Sequence, residues 1–286
     1  MTTLNAQRPT LNQAAPAAYL LHLADNALIL GQRNAEWCGH APILEEDMAM
    51  ANNSLDLIGQ ARLLYQHAAE RLAGDVRAPR GASWPAGAIT EDTLAYFRDV
   101  PDFRNYTLLE LPHSPPLVPA GVGDRDWSVT IVRNFLYSAL MVLVWERLRQ
   151  SADSQLAAIA AKSLKEARYH LRHARDWLVR LGDGTAESQR RAQAALDWLL
   201  PFTDEFWTAS GHEAQARDNA TGVDVAALRA DWDALVNEAI AEATLTRPAA
   251  VQGYVSQGKQ GLHSEHLGYV LAEMQSLARA HPGATW

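Results

Sequence analysis

Ala160-Ala161-Lys162-Ser163-Leu164-Lys165-Glu166-Ala167-Arg168-Tyr169-His170-Leu171-Arg172-His173-Ala174-Arg175-Asp176-Trp177-Leu178-Val179-Arg180-Leu181-Gly182 carries the clearest helical signal in the chain. Apolar residues fall at 157, 160, 164, 167, 171, 174, 178 and 181. Those alternating steps of three and four hold one helix face against a core. Gly182 is expected to stop the helix. A second stripe beside the apolar seam holds Glu166, His170, His173 and Trp177. A carboxylate and imidazoles on one helix face of an all-helical protein point first to a metal site.

Working outward, the same periodicity recurs on both sides. A helix can run from Pro16 to about Asn34 with Leu20, Leu23, Ala27 and Leu30 inward. A second is expected from about Ile43 to Leu72, with a seam of Leu44, Met48, Ala51, Leu55, Ile58 and Tyr65, ending at Gly74. Its Glu45, Glu46 and Asp47 suit the positive end of a helix dipole. Residues 74 to 126 are rich in proline and glycine and leave room only for a short helix near Thr90 to Arg98. Trp127 to Gln150 is apolar on nearly all sides between Phe135 and Trp145, as a central helix would be. Further helices are expected at Ala186 to Ala209, Asp224 to Ala243 and about Gly261 to Ala280, with turns at Gly182 to Thr185, Gly211 to Gly222 and Arg247 to Gly258. No stretch alternates as a strand would. Residues 1–15 are polar and Ala-rich and read as a flexible N-terminal arm, and residues 16–286 as a single domain. Two helices, a long crossover, two more helices and additional C-terminal helices are the order of a ferritin-like helical bundle. The fold class is therefore all-α.

Composition excludes several classes. A formal net charge of −8 argues against nucleic acid or an anionic membrane as the main partner. The run Phe135 to Trp145 is about half of the roughly 20 residues needed to cross a bilayer. The single cysteine, Cys38, forbids an internal disulfide, and Met1 to Thr10 lacks the basic and apolar segments of a signal peptide. Both features point to the cytoplasm.

A ferritin-like two-metal site needs a carboxylate from each of two helices and a Glu-x-x-His pair from each of the others. Of the ten histidines, only His113 has an acid three residues before it. That acid is Glu110, and Glu110-Leu111-Pro112-His113 contains a proline that makes it a loop rather than a helical ligand pair. Glu166 and His170, spaced by four, are the remaining metal candidates. Helical geometry puts His170 about 80° and Glu166 about 120° from the centre of the Leu/Ala seam. They lie on its flank, so a structural polar pair is the competing reading. The second helix has no histidine before His67 and offers Glu45, Asp47, Asp56, Asn52 and Asn53 inside. No matching ligand pair is found, and no catalytic residue is assigned.

Other clusters read as structure or partner contact. Glu36-Trp37-Cys38-Gly39-His40 has a thiol, an acid and an imidazole, but too few ligands for zinc. Lys259, His263, Glu265 and His266 open the last helix, where polar side chains cap backbone amides and Lys259 could take an anion. Arg168 and Arg172, with Arg175, form a basic side of the fourth helix, either solvated or available to an acidic partner. His173 belongs with these contact residues. Nine tryptophans would suit a large interface or a bundle core.

Four blocks carry a family resemblance: Glu36-Trp37-Cys38-Gly39-His40-Ala41-Pro42, Leu55-Asp56-Leu57-Ile58-Gly59-Gln60-Ala61-Arg62, Lys165-Glu166-Ala167-Arg168-Tyr169-His170-Leu171-Arg172, and Gly261-Leu262-His263-Ser264-Glu265-His266-Leu267-Gly268 with Leu271-Ala272-Glu273-Met274-Gln275. From about residue 17 to Trp286 the chain resembles the C (structural) subunit family of the bacterial ring-1,2-phenylacetyl-CoA epoxidases. The resemblance implies a ferritin-like subunit that pairs with a homologous catalytic subunit holding a di-iron centre, beside further small subunits and a reductase. It implies no cofactor in this chain. That complex epoxidises the ring of phenylacetyl-CoA with O₂ during phenylacetate breakdown. The expectation is a non-catalytic structural subunit with an internal polar network around Glu166, His170 and His173, and with Arg168 and Arg172 free for a partner. The rival readings are a self-sufficient di-metal oxygenase with an atypical ligand set and a helical scaffold with no oxygenase partner.

Overall fold

In the computed structural model, residues 14–73, 89–114, 125–250, 255–282 and 284 are described. The helices in chain order are α1 (Ala17–Ala35), α2 (Leu44–Leu72), α3 (Glu91–Tyr96), α4 (Thr107–Glu110), α5 (Trp127–Leu148), α6 (Ser154–Gly182), α7 (Ala186–Leu199), α8 (Asp204–Trp207), α9 (Gly211–Asp218), α10 (Arg229–Glu242) and α11 (Glu265–Ala280). Among the described residues there is no strand, only an isolated bridge between Gln257 and Leu262. Side-chain oxygens start several of these helices by accepting backbone amides that have no partner within the helix. Thr90 caps α3, Asp126 caps α5, Asp153 caps α6, Thr185 caps α7 and Ser210 caps α9.

The direction of the four long helices follows from what meets at each end. The Ala15 amide donates to Asp153 Oδ2 at 2.8 Å, so α1 and α6 begin together. His67, near the close of α2, reaches the same carboxylate at 2.8 Å. At the opposite end Trp37, just past α1, packs edge-on against Trp127, the first residue of α5, with centroids 5.1 Å apart. There Glu46 in the first turn of α2 meets His173 in the second half of α6. Thus α1 and α6 run one way and α2 and α5 the other. Two parallel helices consecutive in the bundle require a return along its whole length, and the segment containing α3 and α4 provides it.

Two helices, not one, are central. α5 is long and apolar enough to cross a membrane by length and composition, yet 83% of that stretch is buried inside the bundle. It packs against α6, α7 and α10. Periodicity predicts a one-sided seam for α1, but every residue from Tyr19 to Gly31 is buried, because α1 packs against α2, α4, α9 and α11. Gly31 lets α2 come close: a Cβ there would stand 3.2 Å from Ile58 Cγ1 and 3.3 Å from Leu57 Cβ.

Several expectations are corrected. The seam assigned to α2 is turned outward, with Leu44, Met48, Leu55 and Ile58 exposed by 73%, 60%, 66% and 37%, while Tyr65 alone of that set is fully buried. The face that packs is Met50, Asn53, Ser54, Leu57, Gln60, Ala61 and Leu64. Asn52, expected inside, is exposed. α6 starts at Ser154, and Gly182 is its last residue rather than a left-handed stop. Its role is clearance, since a Cβ there would lie 2.0 Å from the Ala243 carbonyl oxygen. The helix expected over Ala186 to Ala209 breaks after Leu199, where Pro201 forms a 3₁₀ turn before α8. The turn expected at Gly211 to Gly222 contains α9, opened by reciprocal Ser210–Glu213 capping. Ala15 is buried within the bundle, and the arm before residue 14, like the Gly74 stop, lies outside the described residues.

Candidate functional site

The stripe on α6 faces α2 across a polar seam, and each of its side chains takes a different partner there. Gln60 Nε2 donates to Glu166 Oε2 at 2.9 Å. His170 Nε2 lies 3.1 Å from Asp56 Oδ2, and His173 Nε2 lies 2.8 Å from Glu46 Oε2. Lys162 also approaches Glu166, at 3.8 Å. Glu166 and His170 therefore take separate partners, Gln60 and Asp56, one turn apart on α2. The Tyr169 ring stacks on His173, and Arg172 lies over the Tyr169 face, 5.5 Å from its centroid. Arg168 is exposed and bonds Glu146 at 2.9 Å.

Within the bundle the buried acids are engaged one by one. Asp25 accepts from Tyr65 at 2.6 Å, from the Arg104 amide at 2.7 Å and from the Arg98 guanidinium. This pins the crossover to α1 and α2. Asp153 carries the Ala15 amide, His67 and the α6 cap. Burial opposes its charge, but those donors hold its carboxyl at about 2. Glu213 is 1% exposed and lies 2.9 Å from Lys259 Nζ. Burial raises its pKa, and the surrounding charges of His22 and Lys259 outweigh it, leaving it at about 2. Burial pushes the pKa of His22 itself down. Glu205 takes the Lys259 amide at 2.9 Å, the Ser256 hydroxyl at 2.8 Å and the Thr107 amide at 3.0 Å.

Glu110 and His113, expected only as parts of a loop, are both buried and serve separate clusters. Glu110 accepts from the Ser264 amide at 2.6 Å, from Asn105 at 2.9 Å and from His263 at 2.8 Å. The other nitrogen of His263 meets the Phe103 carbonyl at 3.0 Å. With an acceptor on each ring nitrogen the imidazolium is favoured, and Glu110 outweighs burial to raise its pKa. His113 bridges Thr130 Oγ1 at 2.8 Å and the Arg33 carbonyl at 2.9 Å, with Glu36 at 3.2 Å. Burial lowers His113 to about 4.

Several assignments change accordingly. Lys259 is 3% exposed and neutralised by Glu213, so it is not open to an outside anion. His263 is a buried structural pair with Glu110. Glu265 is exposed and His266 half-buried, and neither takes part in a cap, which Ser264 occupies without a side-chain bond. Glu36 points in towards Arg33 and His113, whereas Cys38 and His40 stay at the surface, so the thiol, acid and imidazole do not meet.

A two-metal centre in such a bundle needs carboxylates and imidazoles from four helices aimed at one point. Where α1 and α5 face each other the polar groups are instead the Asn34 and Asn134 amides, bonded reciprocally at 2.8 and 2.9 Å. Leu57, Ala61 and Leu64 of α2 and Ala160, Leu164 and Ala167 of α6 are buried apolar positions. Among the described residues no group of three or more His, Cys, Asp or Glu is placed to hold a metal ion. The donor set does not fit a di-iron group. A cleft of about 530 Å³ between α3 and α11, lined in part by Tyr96, Phe97, Met274, Leu277 and His281, shares none of these paired residues.

Comparison with known proteins places the chain. A family model described as phenylacetic acid catabolic protein matches residues 1–286. The chain is similar to the C subunit of the 1,2-phenylacetyl-CoA epoxidase of Escherichia coli (strain K12), at 45% identity over 269 residues, which are 94% of this chain and 98% of that protein.

Proposed function

This chain belongs to the phenylacetic acid catabolic protein family, and from that premise we propose that it is the structural subunit of a cytoplasmic multicomponent oxygenase. That enzyme epoxidises the ring of phenylacetyl-CoA, and its catalysis resides in a homologous partner that holds the di-iron centre. Further small subunits and a reductase complete the system. This chain is a ferritin-like bundle that binds no metal of its own and supports the catalytic subunit's fold and solubility.

One observation carries the reading. Buried acids that could have been ligands are each engaged by an internal donor: Asp25 by Arg98 and Tyr65, Glu110 by His263, Asp153 by His67 and Glu213 by Lys259. Freeing any of them for a metal would leave its partner buried and unpaired. The test is iron loading of the purified chain with assay of phenylacetyl-CoA turnover. The expected result is well under one iron per chain and no turnover until the catalytic subunit is added. About two irons per chain, with O₂-dependent turnover by the chain alone, would establish the self-sufficient oxygenase instead.

A further inference from the structure

Three tryptophans from three parts of the chain form a column at one end of the bundle, and nothing in the subunit reading uses it. Trp37, just past α1, packs edge-on against Trp127 of α5 with centroids 5.1 Å apart, and Trp127 packs edge-on against Trp177 of α6 at 5.6 Å. The first two are buried and Trp177 is half-buried, so the column runs from the interior to the surface. Its inner end is joined to a base. Trp37 Nε1–H donates to Thr130 Oγ1 at 2.9 Å, and that oxygen lies 2.8 Å from His113 Nδ1. The tautomer of His113 follows from its neighbours. The Arg33 carbonyl, 2.9 Å from Nε2, can only accept, and Arg133 Nη2, 3.1 Å from Nδ1, can only donate. Nε2 therefore carries the hydrogen and Nδ1 the free lone pair, which makes Thr130 the donor to His113 and the acceptor from Trp37.

We propose that this column carries a one-electron vacancy from Trp177 to Trp37, where it rests as a neutral indolyl radical once the indole proton has moved through Thr130 to His113. The proposal goes beyond the subunit reading and does not depend on it. The oxidant is a one-electron acceptor of the hydroxyl-radical class in solution, which takes the electron from Trp177 and is itself reduced. Each indole then bears the positive charge differently. The Arg180 guanidinium lies 5.6 Å from the Trp177 centroid, and a cation over the ring disfavours a charged ring there. Trp127 Nε1 is buried with no hydrogen-bond partner among the described residues, so Trp127 keeps its proton and passes the vacancy on. Trp37 has a built exit. As its electron leaves, the Nε1 proton goes to Thr130 Oγ1 and the Thr130 proton goes to His113 Nδ1. Thr130 ends as it began, and His113 becomes an imidazolium held by the Arg33 carbonyl and by Glu36 Oε2, 3.2 Å away. Burial opposes the Glu36 charge, but His113 and Arg33 outweigh it and hold the carboxyl at about 2, so the counter-charge is in place at neutral pH. Burial lowers His113 to about 4, which keeps its lone pair free and matches it to an indole radical cation, an acid of carboxylic strength. Arg133 yields that nitrogen and retains the Leu111 and Pro112 carbonyls. A thiol or ascorbate that returns the electron draws the proton back along the same route.

The test is flash oxidation of the full chain by a photogenerated ruthenium(III) polypyridyl complex, followed by transient absorption and electron paramagnetic resonance. The unaltered chain is expected to show a tryptophan cation that converts into a long-lived neutral radical, more slowly in heavy water. Trp37→Phe and Trp177→Phe should each lose the long-lived signal, whereas Trp198→Phe, half-buried on α7 and outside the column, keeps it. Thr130→Val should leave the cation unconverted and Thr130→Ser should restore conversion, a difference that a purely structural role for the hydroxyl would not produce. An undiminished long-lived signal in Trp37→Phe or Trp177→Phe, no conversion in the unaltered chain, or equal conversion in Thr130→Val overturns the proposal. Should Thr130→Val fail to fold, Trp177→Phe and the heavy-water comparison on the unaltered chain decide it. None of these outcomes alters the subunit reading.

Discussion

Lys259 shows how a residue type that suggests a ligand can become part of the frame. Its ammonium lies 2.9 Å from Glu213, with side-chain exposures of 3% and 1%. A buried charge is tolerable only with its counter-charge in place. Lys259→Met is therefore expected to cost about 3–5 kcal/mol in urea unfolding, because Glu213 is left charged in the interior. Adding Glu213→Gln should recover most of that loss.

The same interior sets opposite limbs of a stability–pH curve. Glu213 falls from an ordinary 4.5 to about 2 on folding. Its contribution is complete above 4.5 and disappears as pH falls towards 2. His263 is raised above its ordinary 6.5, so its contribution is complete below 6.5 and is lost as pH rises through the raised value. Melting temperatures across pH should show both losses. Glu213→Gln should flatten the acid limb and His263→Gln the limb above neutrality; unchanged slopes would show these pairs to be energetically idle. None of this is legible in the sequence, which singles out Lys259 and His263 but not their partners. Glu213 is 46 positions from Lys259, and Glu110 is 153 from His263. Only the crossover and the C-terminal return bring them together.

At the scale of elements, periodicity locates the long helices and misjudges how one of them faces. Positions 44, 48, 51, 55 and 58 do form a helical stripe, but the packed side of α2 uses Asn53, Ser54, Gln60 and small residues such as Ala61. Two stripes compete, and the more apolar one is left largely exposed while Leu57 and the edge residue Ile58 pass close to Gly31 of α1. Periodicity reports that a face is apolar, not what covers it. The break at Pro201 and the Ser210-x-x-Glu213 capping signature are both present in the sequence to be read. Gly182 matters for clearance rather than for stopping a helix. Gly182→Ala would drive a Cβ to 2.0 Å from the Ala243 carbonyl and should cost about 1–3 kcal/mol by forcing α6 and the end of α10 apart. A variant as stable as the parent would show that this contact has slack.

For the whole molecule, the all-α bundle with its single long crossover is predictable from the order of helices and the proline-rich middle. The arrangement of the polar residues is legible only in part. Missing Glu-x-x-His pairs can be counted from the chain alone, whereas the Asn34–Asn134 amide pair and the separate partners of Glu166 and His170 need the packed helices.

Iron stoichiometry of the co-purified pair tests the division of labour between the two subunits most directly. With iron supplied in excess, the expected result is about two irons per pair of subunits, all remaining with the catalytic subunit when the two are separated. About four per pair, or iron that stays with this chain after separation, would contradict it.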